Sequence, residues 1–408
     1  MLSRFRATPN DSGMTRIETR LPRTYWRLWW ATGIDNLGNG AFAAAVPLLA
    51  VTVTRDPRLV SLVSTAAYLP WLLLSLAAGS LADRHDRATL MWRAQAVQAI
   101  VAGATAVLVA AHAAGIPVLV VAAFALGACD VVFGNAAQAI LPDLVAKPLL
   151  HQANGRQQAI TTVTEQFAGP PLGGLLFAVA AALPLGVDAV SFALSAVLVA
   201  TLPRRAARPS TRAAIGEGVH WLRRQPLLRT LAALLGVNTF FGQLATVTLV
   251  LLATQTLHAD ARGYGLLLAG AAAGSVLGGL VNARVVARIG ALPAIVTALT
   301  VNVVAFAGIG LSPGLLVLGA FLAVNGFATT LWNIVTIGLR QQLVPSSLLG
   351  RVTSVYRMLG WGLIPFGTLA GGLVAHGFGL RTPYLVAAVV RGVALVAAVP
   401  VLARNRPS

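Results

Sequence analysis

Four carboxylic acids interrupt long apolar stretches of the chain: Asp35, Asp130, Glu165 and Asp188. A charged side chain in hydrocarbon costs a few kcal/mol, so such a group faces the bundle interior, a partner or water. Desolvation favours the protonated form of a carboxyl group, which is the condition for trading protons near neutral pH. The chemistry on offer is therefore reversible protonation. Asp35 lies about 15 Å into its apolar stretch at 1.5 Å per residue, and Asn39 follows at i+4 on the same face. Gln158, Thr161 and Glu165 share a face at i, i+3 and i+7. Each acid has two open readings. Asp35 either takes part in coupling or substrate binding, or is hydrogen-bonded to neighbouring helices. Glu165 either couples, or satisfies backbone groups freed by Pro170 and Pro171, which cannot donate hydrogen bonds. Asp130 is a coupling group or an inner hydrogen bond. Asp188 reads as a helix-start or interface residue, and Arg391 as a cation that snorkels or pairs.

Two polar stripes accompany the acids. Asn325, Thr329, Asn333, Thr336 and Arg340 follow one helical face, and Thr239, Gln243 and Thr246 form a shorter one beside Asn238. A polar stripe facing lipid is costly, so these faces should meet water or protein. Ordinary helix–helix hydrogen bonding competes with a cavity for the same pattern. Gln95, Gln98 and Thr297 show that polarity is not confined to these stripes. Trp26, Trp29, Trp30 and Trp92 read as an interfacial belt. Trp71 and Trp332 could stack on an aromatic substrate, with lipid contact or packing as the plainer reading.

The elements that must position these residues follow from composition. The chain has 408 residues, 57% of them hydrophobic and only 10% charged, against about 25% charged in soluble domains. Segments of about 20 apolar residues span a bilayer. Twelve are read: 26–53, 59–82, 89–111, 115–137, 156–180, 184–202, 229–256, 264–286, 290–311, 314–337, 354–376 and 382–402. The expected fold is an all-α polytopic membrane protein with 12 transmembrane helices.

Net charge is +18, which raises nucleic acid as a partner until the cations are placed. With the N-terminus inside, 25 cations fall on inside segments and four outside, with Arg391 in a span. That obeys the positive-inside rule. Charge thus sets topology, and both termini are expected in the cytoplasm of a cell whose inner membrane holds the chain. The polar interruption at 203–228 ends in Glu217 to Pro226, an amphipathic helix for the inner surface. The expected organisation is a tail (1–25), a six-helix bundle (26–202), the linker (203–228), a second six-helix bundle (229–402) and a short tail (403–408).

The two bundles read as repeats. Gly79-Ser-Leu-Ala-Asp83 matches Gly278-Gly-Leu-Val-Asn282, Asp35 falls opposite Asn238 at a shift of 203 residues, and Leu48-Leu-Ala50 meets Leu251-Leu-Ala253 at the same shift. Repeated halves suit a rocking secondary transporter.

Gly79-Ser-Leu-Ala-Asp-Arg-His-Asp-Arg87 resembles the signature between helices 2 and 3 of the major facilitator superfamily, Gly-x-Leu-x-Asp-Arg-x-Gly-Arg-Arg/Lys, with Asp86 and Ala88 departing from it. Gly169-Pro-Pro-Leu-Gly-Gly174 resembles the second half of the superfamily's fifth-helix antiporter motif. Leu141-Pro-Asp-Leu-Val145, Asn154-Gly155 and Leu349-Gly-Arg-Val352 resemble the branch of the enterobactin exporter and macrolide efflux proteins. The resemblance implies proton-driven export of a small organic molecule. It implies a central cavity among helices 1, 4, 7 and 10, with Asp35, Asn39, Asp130, Glu165, Asn238, Gln243, Asn325 and Asn333 as coupling or cavity residues. It implies that Asp83 bridges the halves in the outward-open state with Arg84 and Arg87 beside it, and that Gly169, Pro170, Gly173 and Gly174 allow a hinge or close packing.

Several classes are excluded or disfavoured. One cysteine, Cys129, permits no internal disulfide or thiolate cluster. The histidines lack metal-ligand spacing, and no Gly-rich loop precedes a Lys-Ser/Thr pair. The Arg-rich first 24 residues lack the apolar core of a signal peptide. The expectation is a non-enzymatic, cofactor-free and metal-free monomer whose partners are a small-molecule substrate, protons and lipid, with no nucleic acid. A proton-independent facilitator or uptake permease is the nearest rival. An ATPase-dependent permease and a membrane enzyme using Asp83 and Asp86 are more distant.

Overall fold

The computed structural model describes residues 21–146, 149–203 and 215–404. Lys147 and residues 204–214 of the central linker lie outside the described residues. Every regular element among those residues is a helix. Twelve crossings are present: span 1 (Arg23–Val53), span 2 (Pro57–Arg84), span 3 (Arg87–Ala110), span 4 (Ile116–Leu144), span 5 (150–179), span 6 (Leu183–Ala200), span 7 (Pro226–Thr256), span 8 (Ala261–Ile289), span 9 (Ala291–Leu311), span 10 (Leu315–Leu343), span 11 (346–378) and span 12 (Thr382–Arg404). Eleven are long and apolar enough to cross a bilayer on length and composition alone. The fifth is not, because its first turns are polar and a π-helical stretch, Thr162–Ala168, divides it. It starts six residues before the position read from sequence. The linker ends in a surface helix, Ile215–Arg223.

Local chemistry sets the ends. Asp56, Asp86 and Asp260 cap spans 2, 3 and 8 by accepting from the backbone N–H of Arg58 (2.9 Å), Thr89 (2.8 Å) and Gly263 (2.7 Å). Asp86, which replaces the signature glycine, thus starts span 3. Gly290 (φ +84°) and Gly379 (φ +91°) make the turns after spans 8 and 11, a backbone region that side chains rarely tolerate. Large apolar side chains stand fully outward, with Leu316 91% and Val396 71% exposed, as expected where the solvent is lipid.

The cores reveal how the halves meet. At the end away from the termini, one apolar cluster runs across both halves, joining Val46, Leu49, Val60 and Val63 to Leu249, Leu252, Tyr264 and Leu267. At the end bearing the termini the core is divided. Tyr25, Leu28, Met91 and Ile140 pack in the first half, and Leu231, Ile295, Leu331 and Tyr356 pack separately in the second. The molecule is therefore closed at the far end.

Three polar contacts reinforce that closure. Thr65 and Thr368 share a hydroxyl hydrogen bond of 2.8 Å, Gln255 donates to the Arg55 carbonyl at 3.4 Å, and His376 Nδ1 lies 3.4 Å from Asp56 Oδ1. Arg58 bonds the Asp56 carboxylate and holds its pKa down to about 2. The folded value lies below the unfolded one, about 3.9. The capping contribution is therefore complete above that pH and is lost only as pH falls through about 2. In a His376→Ala background, Asp56→Ala should cost about 1 kcal/mol of stability, equally at pH 7 and pH 5. Thermal unfolding of the purified variants at the two pH values checks this.

Candidate functional site

The acids read from sequence converge in the first half. Asp35 is 2% exposed. Its Oδ1 accepts from Gln95 Nε2 at 2.7 Å, and its Oδ2 faces Asn39 Nδ2 at 3.4 Å. Asp130 Oδ1 accepts from Gln98 Nε2 at 2.9 Å. Gln95 and Gln98 sit at i and i+3 on span 3, so one helix face holds both acids. Both glutamines are completely buried, whereas the sequence marks them only as polarity outside the stripes. Their depth in an apolar helix, on the face toward spans 1 and 4, is the signal that could have found them.

Glu165 lies inside the π-helical stretch of span 5, close enough to interact electrostatically with Asp35 and Asp130. Single π turns concentrate at functional sites because the extra residue re-aims side chains and frees a carbonyl. Tyr68 of span 2 lies within the same electrostatic neighbourhood of Glu165 and Asp130. Asp188 is fully buried, five residues into span 6 and not at its start. It packs on Gly38 of span 1, where an added Cβ would strike its Oδ1, and accepts from Ser191 Oγ at 3.3 Å. Among the described residues, none of these four acids forms an ion pair.

The second half answers with a cation. Arg391 of span 12, 8% exposed, donates from Nε to Asn238 Oδ1 at 2.6 Å and lies 4.3 Å over the Phe306 ring. Arg391 and Asp188 are 203 residues apart, the same shift that relates Asn238 to Asp35. The repeat thus carries opposite charges at equivalent places, each against the first helix of its half.

The span 10 stripe does not act as one surface. Thr329 accepts from Asn302 Nδ2 of span 9 at 2.9 Å, Thr336 bonds the Trp332 carbonyl at 2.7 Å, and Arg340 lies 4.7 Å over the Tyr356 ring. Asn333 is exposed, and Asn325 is half-buried with Oδ1 enclosed and unbonded. Gln243 is half-buried on span 7, against Gly367 of span 11.

The glycines of span 5 divide their work. A Cβ on Gly169 or Gly173 would collide with the backbone of Gly40 or Ala41 in span 1. Gly174 instead meets Gly265 of span 8, where its Cβ would come within 2.7 Å of the Gly265 Cα. One motif therefore packs span 5 within its half and across to the other half. Pro170 follows Gly169 in the first turn of the helical segment after the π stretch, where its missing N–H costs least.

The signature between spans 2 and 3 is anchored to span 4. Arg87 Nη1 bonds the Asp143 carboxylate and donates to the Ala139 carbonyl at 2.9 Å. Asp143 belongs to the Leu141–Val145 segment, so two separate motifs meet. Arg84 is exposed at the last turn of span 2, and the surroundings of Gly79 and of the Asp83 side chain lie outside what is described. Asp143→Asn should lower stability by about 1 kcal/mol, discounted for the partial exposure of both groups. A double-mutant cycle with Arg87→Ala, read by thermal unfolding, should return most of that as coupling.

Comparison with known proteins fits this architecture. The sequence model of the transmembrane secretion effector family, a major facilitator group, matches residues 21–406. The multidrug efflux pump Tap of Mycobacterium tuberculosis is 27% identical over 377 residues, covering 87% of this chain and 88% of that protein. Tap of Mycolicibacterium fortuitum is 28% identical over 368 residues, covering 85% and 88%. Among solved structures, a bacterial homologue of the iron transporter ferroportin in an inward-facing state aligns with a TM-score of 0.72 at 18% identity, covering 93% of this chain and 99% of that one. The nucleoside transporter NupG aligns with a TM-score of 0.71 at 13% identity, covering 92% and 98%. These structures share the fold. With its twelve crossings, its repeated halves and a family match over nearly its whole length, the chain belongs to the transmembrane secretion effector family of major facilitator superfamily transporters.

Proposed function

We propose that this transporter exports a small organic molecule in exchange for protons, as a monomer in the inner membrane with both termini in the cytoplasm. The observation that carries the reading is the group of four carboxyl groups within the spans of one half, none paired with a cation among the described residues. Where no cation balances a buried carboxylate, a proton can do so, and it can also leave. The family relatives named as multidrug efflux pumps support the outward direction. The cation distribution supports the orientation.

On this reading the conformation described is open toward the cytoplasm, because among the described residues a shared core joins the halves at the far end while separate cores stand at the termini end. Protons entering from outside occupy Asp35, Asp130 or Glu165 while the far end is open. The halves rock, the protons leave inside, and substrate takes the cavity. Asn39, Asn238, Gln243, Asn325 and Asn333 contribute polar contacts to that cavity. Arg84 and Arg87 with Gly79 and Asp83, and Gly169, Pro170, Gly173 and Gly174, govern how the halves part.

The test is substrate flux by the purified protein in vesicles with an imposed pH gradient. A gradient in the proton-antiport direction should drive concentrative flux, and collapsing it with an ionophore should stop accumulation. Flux that ignores the gradient would overturn the proton step and favour a facilitator.

A further inference from the structure

We propose that Gln95 and Gln98 of span 3 are the positioning residues for proton exchange in the first half, and that each acts by turning its amide over. Donating through Nε2, the amide holds an ionised carboxylate. Turned, it accepts through Oε1 from a protonated one. The proposal rests on the reading that protons are exchanged within the spans, and it names the groups that serve both charge states of Asp35 and Asp130.

Span 3 builds the arrangement. Met91, Gln95, Gln98, Ala102 and Thr105 are buried at steps of four and three residues, which is one helical stripe. Thr105 bonds the Val101 carbonyl of its own helix at 2.7 Å. Gln95 and Gln98 are therefore the polar groups that this stripe turns to its neighbours. Burying an amide is costly unless its hydrogen bonds are made. Each amide meets one acid: Gln95 Nε2 lies 2.7 Å from Asp35 Oδ1 on span 1, and Gln98 Nε2 lies 2.9 Å from Asp130 Oδ1 on span 4. The step of three residues sets the glutamines about 4.5 Å apart along the helix axis.

The other end of each amide carries the inference. Gln95 Oε1 and Gln98 Oε1 are both enclosed and have no hydrogen-bond partner among the described residues. A bare acceptor in a buried site is unfavourable, and here it occurs on both side chains that hold an acid. An ionised carboxylate only accepts, whereas a protonated one also carries an O–H donor. A primary amide offers both a donor and an acceptor. With a proton on Asp35 Oδ1, the new O–H would face Nε2–H donor to donor. The last glutamine torsion is roughly two-fold, so nitrogen and oxygen can change places while the rest of the side chain stays. The O–H then donates to Oε1, and helix packing is the same in both charge states. The proton comes from water as the carboxyl O–H forms and returns to water as it breaks.

The neighbours leave this role to the glutamines. Asn39 also approaches Asp35, but at the longer distance of 3.4 Å. The other titratable groups around the two acids are Asp188 of span 6, Glu165 of span 5, Tyr68 of span 2 and Cys129 of span 4. Among the described residues neither amide bonds any of them, and no ion pair joins them to a cation.

Infrared titration of the purified protein tests this without a gradient or a substrate. Protonated carboxyl groups give a C=O band that grows as pH is lowered, and Asp35→Asn and Asp130→Asn assign each acid's share by its loss. In Gln95→Met the Asp35 band should move in frequency, because its O–H no longer meets Oε1. Its half-titration should move about fivefold in proton concentration, because a hydrogen bond to an ionised group is about twice as strong as a neutral one and the two losses are unequal. The Asp130 band should stay within about twofold. Gln98→Met should do the reverse. Gln95→Asn and Gln98→Asn, which withdraw the amide by one methylene, should move the same bands and serve if a Met variant does not fold.

Bands that stay in place in the folded variants overturn the proposal, as does absence of a protonated Asp35 or Asp130 band at every pH. A moved titration with unchanged frequency also overturns it, since the amide is then a donor only. Equal movement of both bands in each variant marks general repacking and overturns it too. Failure of the antiport reading would appear separately, as gradient-independent flux with the bands still responding to the glutamines. Failure of the turned amide would leave gradient-driven flux standing.

Discussion

Asp35→Asn should reduce flux driven by a pH gradient about a hundredfold, the scale on which proton occupancy must bias two conformations to couple them. Asp35 accepts at both oxygens, from Gln95 and Asn39. Asparagine keeps one acceptor oxygen, so the Gln95 contact survives and the helix packing with it. What is lost is the exchangeable proton. The variant should therefore fold, sediment as wild type and bind substrate, while accumulation no longer follows the gradient. Substrate exchange without a gradient, measured in the same vesicles, should fall much less. Full retention of gradient-driven accumulation would remove Asp35 from the coupling step and move attention to Asp130 and Glu165.

Gly40→Val should disrupt the first half outright. A Cβ at Gly40 collides with the Glu165 carbonyl and would lie within 2.9 Å of the Gly169 Cα. Both obstacles are backbone, which cannot swing aside as a flexible side chain would. Overpacking of a tight core costs about 1–3 kcal/mol, and here the upper end applies because a whole helix must shift. The displaced segment is the π-helical stretch that carries Glu165, so transport should be lost along with stability. Thermal unfolding in detergent and flux in vesicles measure the two effects. Gly155→Ala is the control, since a Cβ there meets nothing within 4 Å, and it should match wild type in both. A stable, active Gly40→Val protein would show that spans 1 and 5 pack less closely than described.

Asp188 and Arg391 show what the order of residues leaves open. Asp188 reads from its distance to the span end as a helix-start or interface residue, and it is enclosed against Gly38 at the interface with span 1. That contact needs span 6 beside span 1, which no local pattern states. The charge-inverted repeat of Asp188 and Arg391 was present in the spacing, but its meaning depends on each facing the first helix of its half. The span 10 stripe shows the complementary limit. Helical periodicity tells which residues share a face, and neighbouring helices then cover parts of that face, as Asn302 does for Thr329.

Hydropathy and charge, by themselves, determined the class of molecule. Apolar segments long enough to span lipid, and cations concentrated on alternate connections, are one-dimensional properties enforced by the cost of bare polar groups in hydrocarbon. The acids were equally visible, because any charge in an apolar run stands out. Their partners were not. Gln95 meets Asp35 across 60 positions of sequence, and Trp71 meets Trp361 across 290. The π-helical stretch under Glu165 was also hidden, since it arises where span 5 must fit its glycines onto span 1 and its prolines into the next helical turn. Only the packing of twelve helices decided which polar groups meet, because interhelical contacts depend on which faces the bundle brings together and not on the order of residues along any one helix.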